Sequence, residues 1–322
     1  MNTARQLKLH QLETFVEVAR YKSVTRAAES LGMTQPAVTR TLRELEAICG
    51  TALVTKDGRG IRFTPQGETF LRHAGESLAA ARNGLTAVKD LSLSDRPAIR
   101  IGALPTVSAL IMPGAVSRYL SESLRNPLRI STGENRALLD QLRAGELDIV
   151  MGRLPAPESM TGLAFEPLYR DIVVFAVHNS HPLAGRSTVS ASEIANYPML
   201  MPTSVSIIGP IVKRLFIEQG LTPPSQVIET VSDSFGRAFT RENSAIWIIS
   251  RGVIAAELAS GEFVSLPINA QSTLGAVGLC MRANQPLEPA VQIFANILRE
   301  EVNRRADLLP ENTGSAALMK SK

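Results

Sequence analysis

The sequence predicts an α/β protein in two parts: a small helical unit closed by a basic hairpin, then a larger unit of alternating strands and helices, with one long helix between them. Three observations carry this. Residues 23–50, SVTRAAESLGMTQPAVTRTLRELEAICG, read as two short helices joined by a tight turn. Residues 65–93 place apolar side chains at steps of three and four without a break. From 98 to 303, short β-prone runs alternate with amphipathic stretches.

In the helix pair, Val24, Ala27, Ala28 and Leu31 form one apolar stripe, and Gly32 stands where a left-handed cap is easiest. Thr34 is placed as an N-cap, with Gln35 and Pro36 in the first turn. Behind them Val38, Leu42 and Leu45 point one way, while Pro36, Thr39, Arg40 and Arg43 point the other. An apolar back and a hydroxyl–arginine front suit a helix that enters a DNA major groove, where Arg forks onto guanine and Thr meets a base edge or a thymine methyl. The bland alternative is a helical hairpin with solvated arginines. Residues 8–21, with Leu9, Leu12, Phe15, Val16 and Ala19, supply a third helix to pack behind the pair. Next, β-prone runs at 52–55 and 60–64 flank Lys56-Asp57-Gly58-Arg59, whose Asp-Gly marks a hairpin turn. With Lys56, Arg59 and Arg62 it reads as a wing lying along phosphates or in the minor groove. Its glycines lack the spacing of a nucleotide loop.

Composition agrees. The chain has 322 residues, 44% hydrophobic and 20% charged, with no apolar run of membrane-spanning length and no signal-peptide pattern, so a cytoplasmic protein is expected. Cys49 and Cys280 are too far apart in sequence to make a disulfide framework. The net charge is +4, and residues 1–64 hold ten Lys and Arg against six Asp and Glu, so the excess sits in the first fifth of the chain.

In the long helix Leu71, Ala74, Leu78, Ala81, Leu85 and Val88 form an a/d seam, which favours a dimerising coil over a helix lying on its own domain. A dimer would present two recognition helices to half-sites about one DNA turn apart, or a multiple of that. Residues 92–97 read as a hinge. Strands are expected at 98–104, 128–131, 147–151, 172–177, 226–229, 245–249, 263–266 and 276–281. Helices are expected at 107–120, 134–144, near 192, and at 210–219, 252–259 and 288–303. The alternation argues for parallel-type sheets with ligand sites at strand C-termini. The tail, 304–322, is polar, aperiodic and expected to be disordered.

The pattern LHQLETFVEVARYKSVTRAAESLGMTQPAVTRTLRELE, then Gly50, FTPQG at 63–67 and GELDIVMGR at 145–153, resembles the LysR-type transcriptional regulators over all but the tail. The resemblance implies an N-terminal winged helix–turn–helix (7–64), a long linker and dimerisation helix (65–93), and a periplasmic-binding-protein-like effector domain (98–303). That domain comprises two α/β subdomains, one at 98–171 plus 276–303, the other at 172–275. It further implies a homodimer or homotetramer bound to double-stranded promoter DNA, a small-molecule effector, and altered access of RNA polymerase. Two departures stand out. The family's usual Leu-Phe-x-Arg is Leu53-Val54-Thr55-Lys56, so Lys56 keeps the charge without the fork and should touch phosphate. Cys49 replaces an aliphatic residue and is read as a small buried hydrophobe. More finely, RIGALPTVSALIMPGA at 100–115 and STGEN at 131–135 resemble the activators of protocatechuate catabolic operons and related sugar-binding-protein regulators. This would make the effector a carboxylated muconate-type acid or a related small acid.

Family pockets lie between the subdomains. Here those places hold Thr106 and Ser108, Thr132, the run Thr203, Ser204 and Ser206, and Ser232 and Ser234, with Arg153 as a counter-charge. Hydroxyls and free N–H groups at helix starts bind carboxylates, although any single Ser or Thr there is more simply an N-cap. No catalytic set, cofactor or metal site is expected: His178 and His181 lack acidic or thiol companions, no GxSxG elbow is present, and Cys280 has no resolving partner. The rival from another class is a solute-binding or enzymatic α/β protein with a helical accessory domain.

Overall fold

The structure, a computed structural model, describes residues 7–58, 60–90, 96–122, 124, 126–222 and 226–309. Arg59, the Val88 side chain, the hinge at 92–95 and the tail beyond 309 lie outside the described residues. The chain divides into two compact units, Met1–Pro97 with Asp140–Leu147, and Ala98–Leu139 with Asp148–Lys322.

In the first unit α1 (Leu9–Tyr21), α2 (Val24–Leu31) and α3 (Gln35–Cys49) surround a core in which Phe15 is fully buried among Val18, Ala27, Val38, Leu42 and Leu45. Ser23 caps α2 by accepting from the Arg26 N–H, and Thr34 caps α3 by accepting from the Ala37 N–H, both at 3.4 Å. Gly32 ends α2 at φ +62°, a conformation that glycine enters without steric cost. The wing is β1 (Val54–Asp57) paired antiparallel with β2 (Gly60–Phe63). It is pinned to α3 by Glu46, whose Oε1 accepts from the N–H groups of Leu53 at 2.8 Å and Val54 at 3.1 Å. Phe63 and Phe70 meet Phe15 edge-on at 5.3 and 5.5 Å, closing the core from the wing side.

The helix α4 (Pro65–Asp90) explains the FTPQG run. Thr64 accepts from the Gly67 N–H at 3.0 Å as its cap, and a Cβ at Gly67 would lie 2.0 Å from the Leu53 carbonyl oxygen. The seam divides along its length. Ala74 and Leu78 are buried in their own unit's core, Leu71 and Ala81 are half-buried, and Leu85 is 64% exposed. The first half of the seam therefore holds α4 to the winged helix, which the spacing alone did not reveal.

The second unit holds two five-stranded sheets. Its elements are β3 (Ile99–Ala103), α5 (Pro105–Leu110), α6 (Met112–Ser121), β4 (Leu128–Thr132), the start of α7 (Asn135–Arg143, which is divided between the units at Asp140), β5 (Ile149–Arg153), β6 (Leu163–Asp171) and β7 (Val173–His178). There follow α8 (Ala191–Ile194), β8 (Met199–Met201), α9 (Gly209–Glu218), β9 (Val227–Glu229), α10 (Asp233–Glu242), β10 (Ile246–Ser250), α11 (Ala255–Ser260), β11 (Phe263–Ser265), β12 (Gly275–Arg282) and α12 (Pro289–Arg304). One sheet runs β4-β3-β5-β12-β6 and the other β11-β7-β10-β8-β9. Both are mixed, which corrects the expectation of parallel-type sheets. β12 is antiparallel to β5 and β6, and β7 is antiparallel to β10 and β11. These are the strands that begin or end where the chain crosses between subdomains, at 171–173 and 273–275, and a return without a crossover helix runs antiparallel. Each sheet has its own core, one around Tyr119 and Phe294, the other around Phe175 and Phe216.

Candidate nucleic-acid interface and effector cleft

The front of α3 is a shallow concave surface lined by Gln35, Pro36, Thr39, Arg40, Arg43, Glu44 and Ala47. Thr34, Gln35, Pro36, Arg40 and Arg43 are exposed there and Thr39 is half-buried. The Thr34 hydroxyl is engaged as the cap, and the Thr39 hydroxyl donates to the Gln35 carbonyl at 2.9 Å. The two arginines differ. Arg40 Nε donates to Glu44 Oε1 at 3.0 Å, whereas Arg43 has no ion-pair partner among the described residues. On the wing Lys56 is exposed, and Arg62 is held across the hairpin by Asp57 at 2.9 Å.

Sequence reasoning missed three features of this face. Glu44 and the Glu46 wing pin were read only as helix charges. The third is the corner between α1 and α2, where Arg20 and Arg26 lie 5.8 and 5.9 Å from the Tyr21 ring. The wing docks on this corner through a hydrogen bond from the Ile61 N–H to the Lys22 carbonyl. The signal was present in the basic run Arg20, Lys22, Arg26 around a tyrosine. Cys49 is half-buried, and burial and Glu46 push its thiol up, so it behaves as an inert packing group.

In the second unit, α5 and the loops before α9 and α10 follow the C-terminal ends of strands. Thr132 ends β4 beside Ala103 of β3, which leads into α5 with Thr106 and Ser108. In the other sheet Met201 ends β8 beside Glu229 of β9, and the Thr230 N–H donates to the Met201 carbonyl at 3.0 Å. This puts the Thr203 loop and Ser232 at one edge. The two edges meet where Gly252, in the 251–254 turn after β10, packs on Thr106; a Cβ there would lie 2.5 Å from Thr106 Cγ2.

The hydroxyls divide by role. Ser206 donates to the Thr203 carbonyl at 2.8 Å and accepts from the Gly209 N–H at 3.1 Å, so it shapes the loop. Ser232 caps α10 by accepting from the Phe235 N–H at 3.3 Å, and its hydroxyl lies 3.1 Å from that of Ser234. Thr132, Ser204, Ser232 and Ser234 are exposed, and Thr106 and Ser108 are half-buried. Thr203 is different: its hydroxyl is buried without a hydrogen-bond partner among the described residues.

Arg153 requires a correction. It is not a counter-charge lining a crevice but a buried tie, 5% exposed. Its guanidinium donates to the Asp171 carbonyl at 2.6 Å and to the Thr273 carbonyl at 3.0 and 2.9 Å, one on each crossover between subdomains. The Asp171 carboxylate accepts from the Gly252 N–H at 3.2 Å, linking the tie to the turn under Thr106. Burial lowers the Arg153 pKa against the opposing pull of Asp171, and burial raises Asp171 against the pull of Arg153.

A cation-faced helix with a pinned wing, joined to a pair of α/β subdomains, defines a transcriptional regulator with separate DNA-binding and effector-binding parts. Residues 9–68 match the bacterial regulatory helix–turn–helix proteins of the lysR family, and residues 93–303 match the LysR substrate binding domain. The chain belongs to the LysR family. It is 47% identical over 303 residues to the HTH-type transcriptional regulator PcaQ of Agrobacterium fabrum, covering 94% of this chain and 97% of that one. It is 30% identical over 299 residues to YdcI of Escherichia coli, covering 93% and 97%. Among solved structures, a full-length OxyR variant from Pseudomonas aeruginosa aligns with a TM-score of 0.55 at 21% identity, covering 91% of this chain and 97% of that one. Vibrio fischeri DarR in complex with DNA aligns with 0.54 at 20% identity, covering 92% and 99%. These two likenesses show the fold.

Proposed function

We propose that this LysR-family regulator is a cytoplasmic homodimer or homotetramer. It reads promoter DNA with the front of α3 and adjusts RNA polymerase access when a small carboxylate enters between its subdomains. The identity to PcaQ and the run at 100–115 support an activator of a protocatechuate-type catabolic operon. The observation that carries the carboxylate reading is the unpartnered Thr203 hydroxyl, buried beside Ser204 and Ser206 in the loop before α9. A buried hydroxyl without a partner is costly, and an acceptor such as a carboxylate oxygen would satisfy it. Binding acts through the two crossovers: a ligand with different affinity for two subdomain arrangements shifts their populations, and the linker helices pass this to DNA geometry.

The single tryptophan, Trp247, is buried in β10 against Gly236 and reports on its own subdomain. Titration of the full-length protein with cis,cis-muconate, its 3-carboxy derivative and protocatechuate should give saturable fluorescence changes that are lost with the methyl esters. A response to the esters but not to the acids would overturn the carboxylate reading.

A further inference from the structure

The front of α3 contains a carboxylate, a charge that phosphates repel. Glu44 lies among Gln35, Pro36, Thr39, Arg40 and Arg43, so any duplex docked there brings phosphates toward a negative charge. An exposed i,i+4 ion pair stabilises a helix too weakly to account for its place. Glu44 is also held from behind. Its Oε2 is 3.5 Å from the Gln11 carboxamide nitrogen, and Gln11, only 3% exposed, accepts from the Lys8 N–H at 3.0 Å through its own oxygen. The relay runs from the start of α1, through a buried side chain, to Glu44 and on to Arg40 Nε. With Nε occupied, the two terminal nitrogens of Arg40 remain side by side for a ligand, the pair needed to fork onto O6 and N7 of guanine.

We infer that Glu44 is a specificity-determining positioning residue, which holds the Arg40 fork at a fixed angle to the base edges at the expense of affinity for phosphate. Arg43, with no ion-pair partner among the described residues, is left to adapt. Holding a long side chain in its bound direction lowers the ordering cost at the correct base pair. This rests on the reading of Arg40 as a base reader. The test is selection of preferred duplexes from a random pool by the full-length wild type, Arg40→Ala, Glu44→Ala and Glu44→Gln, with anisotropy titrations on random duplex.

Arg40→Ala should erase one base preference. Glu44→Ala should weaken that same preference by roughly tenfold while binding random duplex more tightly. Glu44→Gln, which still accepts from Nε, should retain most of the preference even though its charge is gone. Three results overturn the inference: an unchanged preference in Glu44→Ala, a loss at a different base pair (a direct contact by Glu44), or equal behaviour of the Gln and Ala variants (a role for charge alone). A wild type that selects nothing, or an Arg40→Ala that keeps every preference, would instead remove the underlying reading.

Discussion

Replacing Arg153 by methionine tests whether the two subdomains are tied through one buried guanidinium. Methionine keeps an unbranched apolar stem and loses every donor. The carbonyls of Asp171 and Thr273 lose their partners, and the Asp171 carboxylate, 1% exposed, loses its compensating charge. Stranding two buried carbonyls and leaving the buried carboxylate uncompensated costs about 3–5 kcal/mol. At a urea slope of roughly 2–3 kcal/mol per molar for a domain of this size, that is a midpoint shift of about 1–2.5 M. Trp247 fluorescence reads the transition. The pH dependence has a defined sign. Burial raises the Asp171 pKa above its ordinary 3.8, so the folded state holds this proton longer than the unfolded one, and stability falls as pH rises from 3.8 through the folded value. Loss of Arg153 moves the folded value further up. The deficit of the variant should therefore be smaller at pH 5 than at pH 7. A midpoint shift of only a few tenths of a molar, or a deficit that grows as pH is lowered, would refute the tie.

On the DNA face, Arg43→Ala should lower affinity for the selected duplex by roughly tenfold or more. Lys56→Ala should leave sequence preference intact and reduce the slope of log affinity against log salt by about one, both read by fluorescence anisotropy. Glu46→Ala strands the N–H groups of Leu53 and Val54, so the winged unit should lose about 1–3 kcal/mol in thermal unfolding. An unchanged transition would mean that the wing is held by its aromatic contacts and the Ile61–Lys22 hydrogen bond without Glu46.

The helix–turn–helix was legible because its determinants are local. Thr34, Pro36 and Gly32 act within four residues of themselves, and the apolar stripes repeat at the helical period. The strand β6 was not anticipated. Pro167 interrupts its pattern, and the structure places that proline where the register with β12 slips between Val277 and Gly278, a bulge that tolerates it. The three-residue β8 was not anticipated either. Sheet direction was misread because alternating composition does not record which strands return without a crossover.

Arg153 was misplaced for a related reason. A charged residue at a strand end defaults to solvent. The carbonyls that bury this one come from residues 18 and 120 positions away. Glu44 and Gln11, 33 residues apart, were invisible as a pair. The hydroxyl-bearing loops were found by position, but which hydroxyls cap helices and which lacks a partner emerged only from three-dimensional hydrogen bonding.

Guanine-N7 methylation interference on a selected duplex asks whether α3 reads base edges from the major groove, since N7 is exposed only there. Methylation should block binding at guanines in two symmetric clusters about ten base pairs apart, or a multiple of that, as a pair of recognition helices requires. Binding that tolerates methylation at every guanine, while the duplex still contains the selected sequence, would place the protein somewhere other than the major groove.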